Sequence, residues 1–483
     1  MATGAQSTET PGARSAETPG AQFATTATVD RIDVLDPHAE APYTLDEPPP
    51  RVLGWLDQFG LWGNLGMSIL GPVTAIYILQ PAGLPQMSYL AAFVAIVVGT
   101  VLGTLLLGGA AVPGAETGAP SMVLLRGLFG RRVSYFPTVV NIVQLIGWAV
   151  FEIVVIAAAA QQLFPWHAHQ WPYVVIAGAI TVALAIRPLG WVRVLRRYAI
   201  AAVAVTSIYL YVELLRHPLP SLTHGSWSGF WPGADYAIAV AVSFAPLASD
   251  YSRHSRSARS AFGGAVVGYT VTQVVAYTLG LAAIATVVKA SEAADTHSMF
   301  GAFIAVPGGW LAFGVLVARE LDQSFADSYS TVVSLQNVVP RIDRRVLAVA
   351  VGGLATVLAL IFGINSYPNY LSLLGSVFVP LTAVLLVDYF LGRRGHWDVT
   401  EDAPTRWPML IPWVAGVAVY QLINPGYVGW WVRAWGHVDS WLHFTVHTWM
   451  SASALSFLVA ALLTLPISVA HRRTTSAAPP ATP

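Results

Sequence analysis

Long apolar runs recur along almost the entire chain, and they limit the possible folds more than any other feature of the sequence. About 20 apolar residues are enough to cross the roughly 30 Å hydrocarbon core of a bilayer as a helix. Of the 483 residues, 55% are hydrophobic and 10% are charged, whereas about 25% of the residues in a soluble domain are charged. The sequence therefore predicts an all-α integral membrane protein.

Twelve runs are predicted to be transmembrane helices, of which the fourth, sixth and eleventh are short. They cover approximately residues 61–79, 88–111, 135–163, 173–186, 198–215, 237–249, 261–288, 309–339, 346–363, 370–390, 409–423 and 449–469. Segments 1–50 and 472–483 contain no apolar run and are predicted to be disordered tails. The first segment also lacks the apolar core of a signal peptide.

Basic residues between the spans are unevenly distributed. If the N-terminus is cytoplasmic, connections on that side carry 18 basic residues, and the opposite side carries only Arg216, Lys289 and Arg433. Cytoplasmic loops are enriched in Lys and Arg, so we predict a multi-pass protein of the cytoplasmic membrane with both termini inside. The balance of 25 basic and 25 acidic residues gives no indication of a nucleic-acid partner, and the absence of cysteine excludes disulfides and zinc–sulfur sites.

Two spans contain helix-breaking residues. The first has Gly63, Gly66, Gly71 and Pro72 within ten residues, and the sixth contains the segment 243–246 with a proline. Breaks at corresponding positions of two halves indicate a transporter site at the repeat interface. Because these spans are five apart, we predict two inverted five-helix repeats, 51–216 and 234–391, with two appended helices in 408–471. The alternative is that both are kinks in packed helices.

The eighth span is interrupted by ionisable side chains, namely Arg319, Glu320, Asp322 and Asp327. One charge near the bilayer centre costs about 2.5–3.5 kcal/mol even on lenient insertion scales. Four charges in one helix must therefore face protein, water or a ligand. This pattern predicts a polar site inside the helical bundle.

Four segments resemble the nucleobase–cation symport family of purine–cytosine permeases and hydantoin transporters. They are 118–130, 141–148, 327–341 and Ser243-Phe-Ala-Pro-Leu-Ala-Ser-Asp250-Tyr-Ser-Arg253. The likeness spans roughly residues 51–400. It implies a leucine-transporter-type fold and a secondary active transporter, without a cofactor, that holds a nucleobase-like substrate between helices one, three, six and eight. A membrane-embedded enzyme is the less favoured class, because no HExxH, Gly-x-Ser-x-Gly or Walker motif is present.

The resemblance also implies which residues bind the substrate. A third-helix tryptophan would stack on the flat ring and a polar residue one turn later would bond to its edge; these positions fall on Trp148 and Glu152, which share a helix face. The second aromatic plate would be Phe244, where relatives usually have tryptophan. The alternatives are an ordinary core tryptophan and a packing phenylalanine.

On the eighth helix the corresponding positions are Gln323 and Asp327, and Ser68 of the first helix is a further candidate for substrate binding. Ionised carboxylates accept hydrogen bonds but do not donate them. The site should therefore prefer a ring edge rich in N–H groups, such as an aminopyrimidine or aminopurine. The alternative is an amino-acid or amine symporter of the same fold, with Gly66, Ser68 and Gly71 receiving the substrate.

The coupling ion is predicted to be H⁺ or Na⁺. In sodium-coupled relatives an adjacent hydroxyl pair on helix eight helps to bind the ion, and these positions fall on Leu321 and Asp322. Asp322 can coordinate sodium, carry a proton or simply pair with Arg319, and Gly66 is a candidate ion ligand on helix one. No other metal site is predicted.

Four further charges are assigned gating or structural roles. They are Arg319, Glu320, Asp250 and Arg253. The oligomeric state is not predicted.

Overall fold

The computed structural model describes residues 49–186, 190–286, 295–338, 342–393, 395, 397–400 and 402–476. The side chains of 190–200, 322, 325, 326, 329, 333, 336–338, 344 and 471–476 are outside this description. The predicted N-terminal tail through residue 48 and the last seven residues of the predicted C-terminal tail also lie outside it.

The described residues form seventeen α-helices. In chain order they are α1 (Trp55–Leu65), α2 (Leu70–Leu79), α3 (Tyr89–Thr117), α4 (Ser121–Phe129), α5 (Arg131–Leu163), α6 (Trp171–Ile186), α7 (Gly190–Leu214), α8 (Phe230–Ser243), α9 (Ala248–Ser252), α10 (Ala258–Thr286), α11 (Thr296–Ala305), α12 (Gly309–Val338), α13 (Arg344–Ile361), α14 (Tyr367–Leu386), α15 (Leu410–Ile423), α16 (Gly429–Leu442) and α17 (Ala452–Ser476).

Each of the twelve predicted spans coincides with a helix or a broken helix. In the described part of the chain, five helical segments are long and apolar enough to cross a bilayer, or six if α1 and α2 form one bent span. Four more are apolar but shorter, including α6 and α13. The other two spans are α8 with α9, which are broken, and α12, which carries charges. The last helix reaches Ser476 and so extends into the predicted tail.

Both predicted breaks are present. The axes of α1 and α2 differ by 66° across the four residues between them. In the sixth span, α8 ends at Ser243, and a 3₁₀ turn over Ala245–Leu247 leads into α9. Pro246 lacks the backbone N–H that would continue the α-helix, which explains why the helix stops here.

Glycines allow α10 to pack directly against α1. A Cβ on Gly268 would lie 2.5 Å from the carbonyl oxygen of Phe59, and a Cβ on Gly264 would lie 2.4 Å from the Cβ of Gln58. Small residues four apart permit this close approach of helices in membranes. As a result, α10 lies directly alongside the first half of the broken first span.

Three helices were not predicted as separate elements, because they are too short to cross a bilayer. One of them, α4, lies in the connection before α5, and α11 precedes α12. The third, α16, has no buried residue and carries Trp430, Trp431, Trp435 and Trp441. Tryptophan is enriched at membrane–water interfaces, so α16 has the composition of an interfacial helix.

Asp235 attaches the last helix, α17, to α8. Its carboxylate accepts hydrogen bonds from Ser451 Oγ (2.6 Å) and from the backbone N–H groups of Ala452 (2.8 Å) and Ser453 (3.2 Å). The first N–H groups of a helix have no partner within the helix, and a carboxylate there also complements the helix dipole. This contact fixes the start of α17 to α8.

A buried ion pair holds the opposite end of the appended helices. Asp388, just after α14, accepts two hydrogen bonds from Arg406 at 2.7 and 2.9 Å. The same carboxylate accepts from Trp397 Nε1 at 2.8 Å and from the Ser468 hydroxyl. Arg406 also donates to the Gly127 carbonyl at 2.9 Å. The cluster therefore joins α4, α14 and α17.

Asp388→Asn is expected to lower the thermal stability of the protein markedly. The substitution preserves side-chain shape but leaves the Arg406 guanidinium buried without its counter-ion, and breaking a buried pair costs about 3–5 kcal/mol. Thermal unfolding in detergent, followed by tryptophan fluorescence, measures the change. Asp398→Asn is the matched control, because the carboxylate of Asp398 accepts hydrogen bonds from the backbone N–H and the hydroxyl of the nearby Thr400 within the same connection. Equal unfolding temperatures for Asp388→Asn and the unmodified protein would show that the pair contributes no net stability.

Candidate functional site

A small cavity lies between the two broken helices. Its volume is about 20 Å³, which is room for about one water molecule. Six helical segments contribute to its wall, and the lining residues are Gly66, Ser68, Leu70, Gly71, Trp148, Glu152, Val240, Phe244, Tyr269, Gln273, Tyr277, Gln323 and Tyr367. Six of these, namely Gly66, Ser68, Trp148, Glu152, Phe244 and Gln323, were predicted from the sequence as substrate-binding or ion-coupling residues, and Gly71 was named in the amino-acid or amine alternative.

Trp148 and Phe244 form one wall of the cavity. Their ring centroids are 6.1 Å apart and their planes differ by 30°. Tyr370 packs edge-on against Trp148 at 5.3 Å. A flat ring between two others needs about 7–8 Å, because each face requires a contact distance of 3.5–4.0 Å. The structure brings Trp148 and Phe244 together as a stacked pair, but the space between their rings is too small for a third ring in this conformation.

Glu152 lies one turn after Trp148 and is 1% exposed. Its carboxyl group interacts directly with that of Asp327 on α12. Asp327 itself lies behind Glu152 and is not among the lining residues. In the described part of the chain, neither Glu152 Oε2 nor Asp327 Oδ2 accepts a hydrogen bond from a protein donor. The two acids therefore form one buried pair at the edge of the cavity.

Glu320 binds the second half of the broken first span. Its carboxylate accepts from the Ser68 hydroxyl at 2.5 Å and from the backbone N–H of Ile69 at 3.0 Å. Ser68 Oγ in turn accepts from the N–H of Leu70 at 3.0 Å. A carboxylate at a helix N-terminus is favoured by the helix dipole. Ser68 is a predicted substrate ligand. In this conformation its hydroxyl group donates its hydrogen bond to Glu320.

Arg319, the preceding residue, binds the first half of the same span. Its guanidinium donates to the carbonyl oxygen of Asn64, near the end of α1, and to Gln323 Oε1 at 2.7 Å. Cations are favoured at helix C-termini. Two adjacent residues of α12 therefore place opposite charges at the two ends of the break.

Asp322 and Gly66 were predicted as ion-coupling residues. The side chain of Asp322 lies outside the description, so its pairing with Arg319 and its role in coupling stay predictions. Gly66 lines the cavity, and a Cβ there would lie 2.4 Å from Thr272 Oγ1. This close approach explains why the break needs glycine at that position.

Asp250 and Arg253 are not among the residues that line the cavity. Asp250 Oδ1 accepts from the backbone N–H of Ser121 at 2.8 Å, at the start of α4. It also interacts electrostatically with Arg253, whose Nε contacts His254 Nε2 at 3.3 Å. The hydrogen bond of Asp250 therefore connects α9 with the start of α4.

A second capping residue holds the broken sixth span. Gln144 Nε2 donates to the carbonyl oxygen of Ser243, the last residue of α8, at 2.8 Å and to Asn141 Oδ1 at 2.8 Å. This bond satisfies one of the carbonyls that have no partner at a helix C-terminus. Each break is thus capped from the side, the first by α12 and the sixth by α5.

A larger cavity of about 670 Å³ lies behind Tyr370, between α5, α13, α14 and α16. Its wall contains no ionisable side chain other than the tyrosine and consists mainly of aliphatic and aromatic groups. Val143 and Leu373 on its rim are each more than half exposed. This cavity therefore opens towards the surface that lipid covers, and the smaller polar cavity is the better candidate for a solute.

A family model described as permease for cytosine/purines, uracil, thiamine and allantoin matches residues 50–459 of this chain. The chain belongs to this family. A Bacillus subtilis (strain 168) protein that is named a purine-cytosine permease is 22% identical over 386 residues, which cover 75% of this chain and 81% of the relative. The predicted resemblance is confirmed, and the chain is a membrane transporter and not an enzyme.

Solved structures show the fold of this permease. Mhp1, a nucleobase-cation-symport-1 family transporter in a closed conformation with bromovinylhydantoin bound, gives a TM-score of 0.67 at 16% identity, covering 90% of this chain and 96% of Mhp1. The inward-facing conformation of Mhp1 gives a TM-score of 0.71 at 15% identity, and the match covers 90% of this chain and 95% of Mhp1. MhsT in complex with L-phenylalanine gives a TM-score of 0.54 at 16% identity, and the match covers 85% of this chain and 98% of MhsT. The all-helical leucine-transporter-type fold with two broken helices is confirmed.

Sequence reasoning missed the contribution of α10 to the cavity. Tyr269, Gln273 and Tyr277 recur every four residues, so they share one face of this helix, and all three line the cavity. Gln273 Nε2 donates to the carbonyl of Ala237 at 2.9 Å. The spacing of these polar groups in an apolar span was the available signal. Tyr367 was missed for a different reason, since nothing in its local sequence distinguishes it from an interfacial tyrosine.

Proposed function

We propose that this permease is a secondary active transporter that imports an amino-substituted, nucleobase-like heterocycle by alternating access, together with a coupling cation, H⁺ or Na⁺. Trp148 and Phe244 would hold the faces of the ring, and Glu152, with Asp327 behind it, would bind its edge. Gln323 and Ser68 would become ligands once the site widens. The repeats at 51–216 and 234–391 would move relative to each other during transport.

The observation that carries this proposal is a set of unsatisfied polar atoms around the cavity. Within the described residues, Trp148 Nε1, Glu152 Oε2 and Gln273 Oε1 are buried and lack a hydrogen-bond partner. Leaving a buried polar group unsatisfied costs about 1–3 kcal/mol. A mixed set of donors and acceptors beside two aromatic faces matches a flat ring with a polar edge.

The balance of donors and acceptors favours amino-substituted rings. Glu152 and Gln273 present acceptor oxygens, Asp327 adds a second carboxylate, and Trp148 can only donate. A ring edge with exocyclic amino groups supplies the N–H groups that these oxygens need. The description of the matching family includes cytosine and purines, and bromovinylhydantoin is the ligand bound to Mhp1, so flat heterocycles of this size also agree with the relatives.

The amino-acid or amine alternative has weaker support. MhsT was solved with L-phenylalanine, so the fold accommodates such substrates. A substrate carboxylate would be expected at the N-terminus of the second half-helix. In this chain the carboxylate of Glu320 already accepts the hydrogen bonds of Ser68 and Ile69 there. The break therefore offers a substrate carboxylate few free donors.

For the cellular location, we propose the cytoplasmic membrane with both termini inside. The 18-to-3 distribution of basic residues between the two sets of connections supports this orientation. The positions of the observed helices leave that distribution unchanged, because each predicted span coincides with a helix.

Binding to the purified permease tests the proposal. We expect cytosine and adenine to bind at least about tenfold more tightly than uracil or hydantoin, since one hydrogen bond to a charged acceptor is worth about 1.5–3 kcal/mol. Glu152→Gln should reduce this preference to about threefold or less, because the amide can donate as well as accept. Isothermal titration in detergent with these four ligands and L-phenylalanine measures both effects.

Glu213→Gln is the matched control for the binding experiment. Glu213 is also a buried glutamate, but its carboxylate pairs with Arg216 near the end of α7. Its replacement should leave the preference for amino-substituted rings unchanged. Binding of L-phenylalanine without binding of any heterocycle, or an unaltered preference in Glu152→Gln, would contradict the proposal.

A further inference from the structure

The break in the first span carries a permanent side-chain cation. The guanidinium of Arg319 is buried and donates to the Asn64 carbonyl at the end of α1. An arginine side chain is effectively always charged in proteins. Carbonyls at the end of a broken half-helix are the groups that coordinate small cations in transporters of this kind. Here a side chain of the protein already bonds to one of them.

Arg319 also faces the acids of the site. It interacts electrostatically with Glu320 on its own helix, with Asp327 two turns further along and with Glu152 on α5. Glu320 binds the other half of the break. The two half-helix ends are thus each matched by an opposite charge from α12. A second cation bound at the same carbonyl would be repelled by Arg319.

Resting on the proposed function, we propose that Arg319 is a built-in cation that takes the place of a bound sodium ion at this break. Sodium is then not a ligand of the permease, and heterocycle binding does not depend on it. The cycle would use the other coupling ion, H⁺. Arg319 acts here as a positioning residue, because it bonds to α1, interacts electrostatically with the acids and is not among the residues that line the cavity.

Two measurements on the full-length permease test the proposal. Cytosine and adenine affinities are compared in about 150 mM NaCl and in equal choline chloride, near physiological ionic strength. Hydrogen exchange of backbone amides in residues 62–72 is measured in the same salts without a heterocycle. We expect the ligand affinities and the exchange rates each to differ by less than twofold between the two salts. The second readout needs no substrate, so it still tests the inference if neither base binds and the proposed function is wrong.

Variants at residue 319 separate charge from hydrogen bonding. Arg319→Gln can still donate to Asn64 but has no charge, so Na⁺ is expected to slow exchange in residues 62–72 by at least about fivefold in this variant. Arg319→Lys keeps the charge and should stay insensitive to Na⁺. Arg216→Gln, which removes an arginine that is 66% exposed, is the matched control and should behave like the unmodified protein.

A tenfold or greater gain in cytosine or adenine affinity in NaCl would overturn the proposal. So would slower exchange of residues 62–72 in NaCl in the unmodified permease, or identical sodium responses of Arg319→Gln and Arg319→Lys. If Arg319→Gln does not fold, the unmodified protein and Arg319→Lys decide the question, because both are expected to be insensitive to sodium.

Discussion

Replacing Trp148 by alanine is expected to weaken heterocycle binding by about tenfold to a hundredfold. Stacking of a base on an aromatic side chain is worth about 1–3 kcal/mol, and the indole is 6% exposed beside Phe244 and Tyr370. Alanine would remove one face of the predicted ring site and also the Nε1 donor. Equilibrium binding of cytosine and adenine to purified protein measures the loss.

Two further variants make the result specific. Trp148→Phe keeps an aromatic face without the N–H, so it should retain binding within about tenfold of the unmodified protein. Trp441→Ala removes a tryptophan that is 78% exposed on α16 and should leave the affinity unchanged. Undiminished binding by a folded Trp148→Ala variant would show that the indole is not the stacking surface.

An inward proton gradient is expected to drive accumulation of the heterocycle in sodium-free proteoliposomes. The Glu152 and Asp327 carboxyls interact inside the bundle, and two carboxylates that share a site do not readily ionise together. The pair is therefore suited to take up and release one proton as the site opens to either side. For one proton, a difference of one pH unit supports up to about tenfold accumulation, equivalent to 1.36 kcal/mol.

The groups that face this acid pair set its charge state. They come from α12, α10 and α14 and are Arg319, Glu320, Tyr269 and Tyr370. Arg319 contributes a positive charge and Glu320 a negative one, so their effects on the pair oppose each other. The response to the gradient should therefore depend on the pair itself.

Glu152→Gln and Asp327→Asn should each abolish gradient-driven accumulation while still allowing equilibration of the heterocycle across the membrane. Uptake of radiolabelled cytosine or adenine with and without an imposed pH difference measures the coupling. Glu213→Gln removes an acid that is paired with Arg216 instead and should accumulate substrate normally. Accumulation by both acid-pair variants would show that the coupling proton binds elsewhere.

Local sequence was sufficient to predict the features that depend on one helix at a time. The twelve apolar runs are favoured in lipid because of their hydrophobicity. The glycines of the first span and the proline of the sixth act through backbone geometry. Trp148 and Glu152 share a face because they are four residues apart. The charges of α12 could also be placed inside the bundle without knowledge of their partners, because exposing them to lipid is costly.

Partners that are distant in the sequence were not predictable in this way. Glu320 bonds to Ser68, which is 252 residues away, and Asp388 bonds to Arg406 across a connection between helices. Glu320 and Glu152 are both acids in apolar spans, and the sequence does not distinguish their roles. Only the packing of the helices determines that Glu320 binds a half-helix and that Glu152 lines the cavity. The separation of Trp148 and Phe244 likewise depends on how α5 packs against the end of α8.

The two capped breaks have a mechanical consequence. Arg319 and Glu320 are neighbours on one continuous helix, yet one is bonded to α1 and the other to α2, while Gln144 of α5 performs the same task for α8. Near these bonds the broken and continuous helices cannot slide far past one another. The breaks should therefore act as a fulcrum, with the largest displacements at the far ends of α1, α2, α8 and α9.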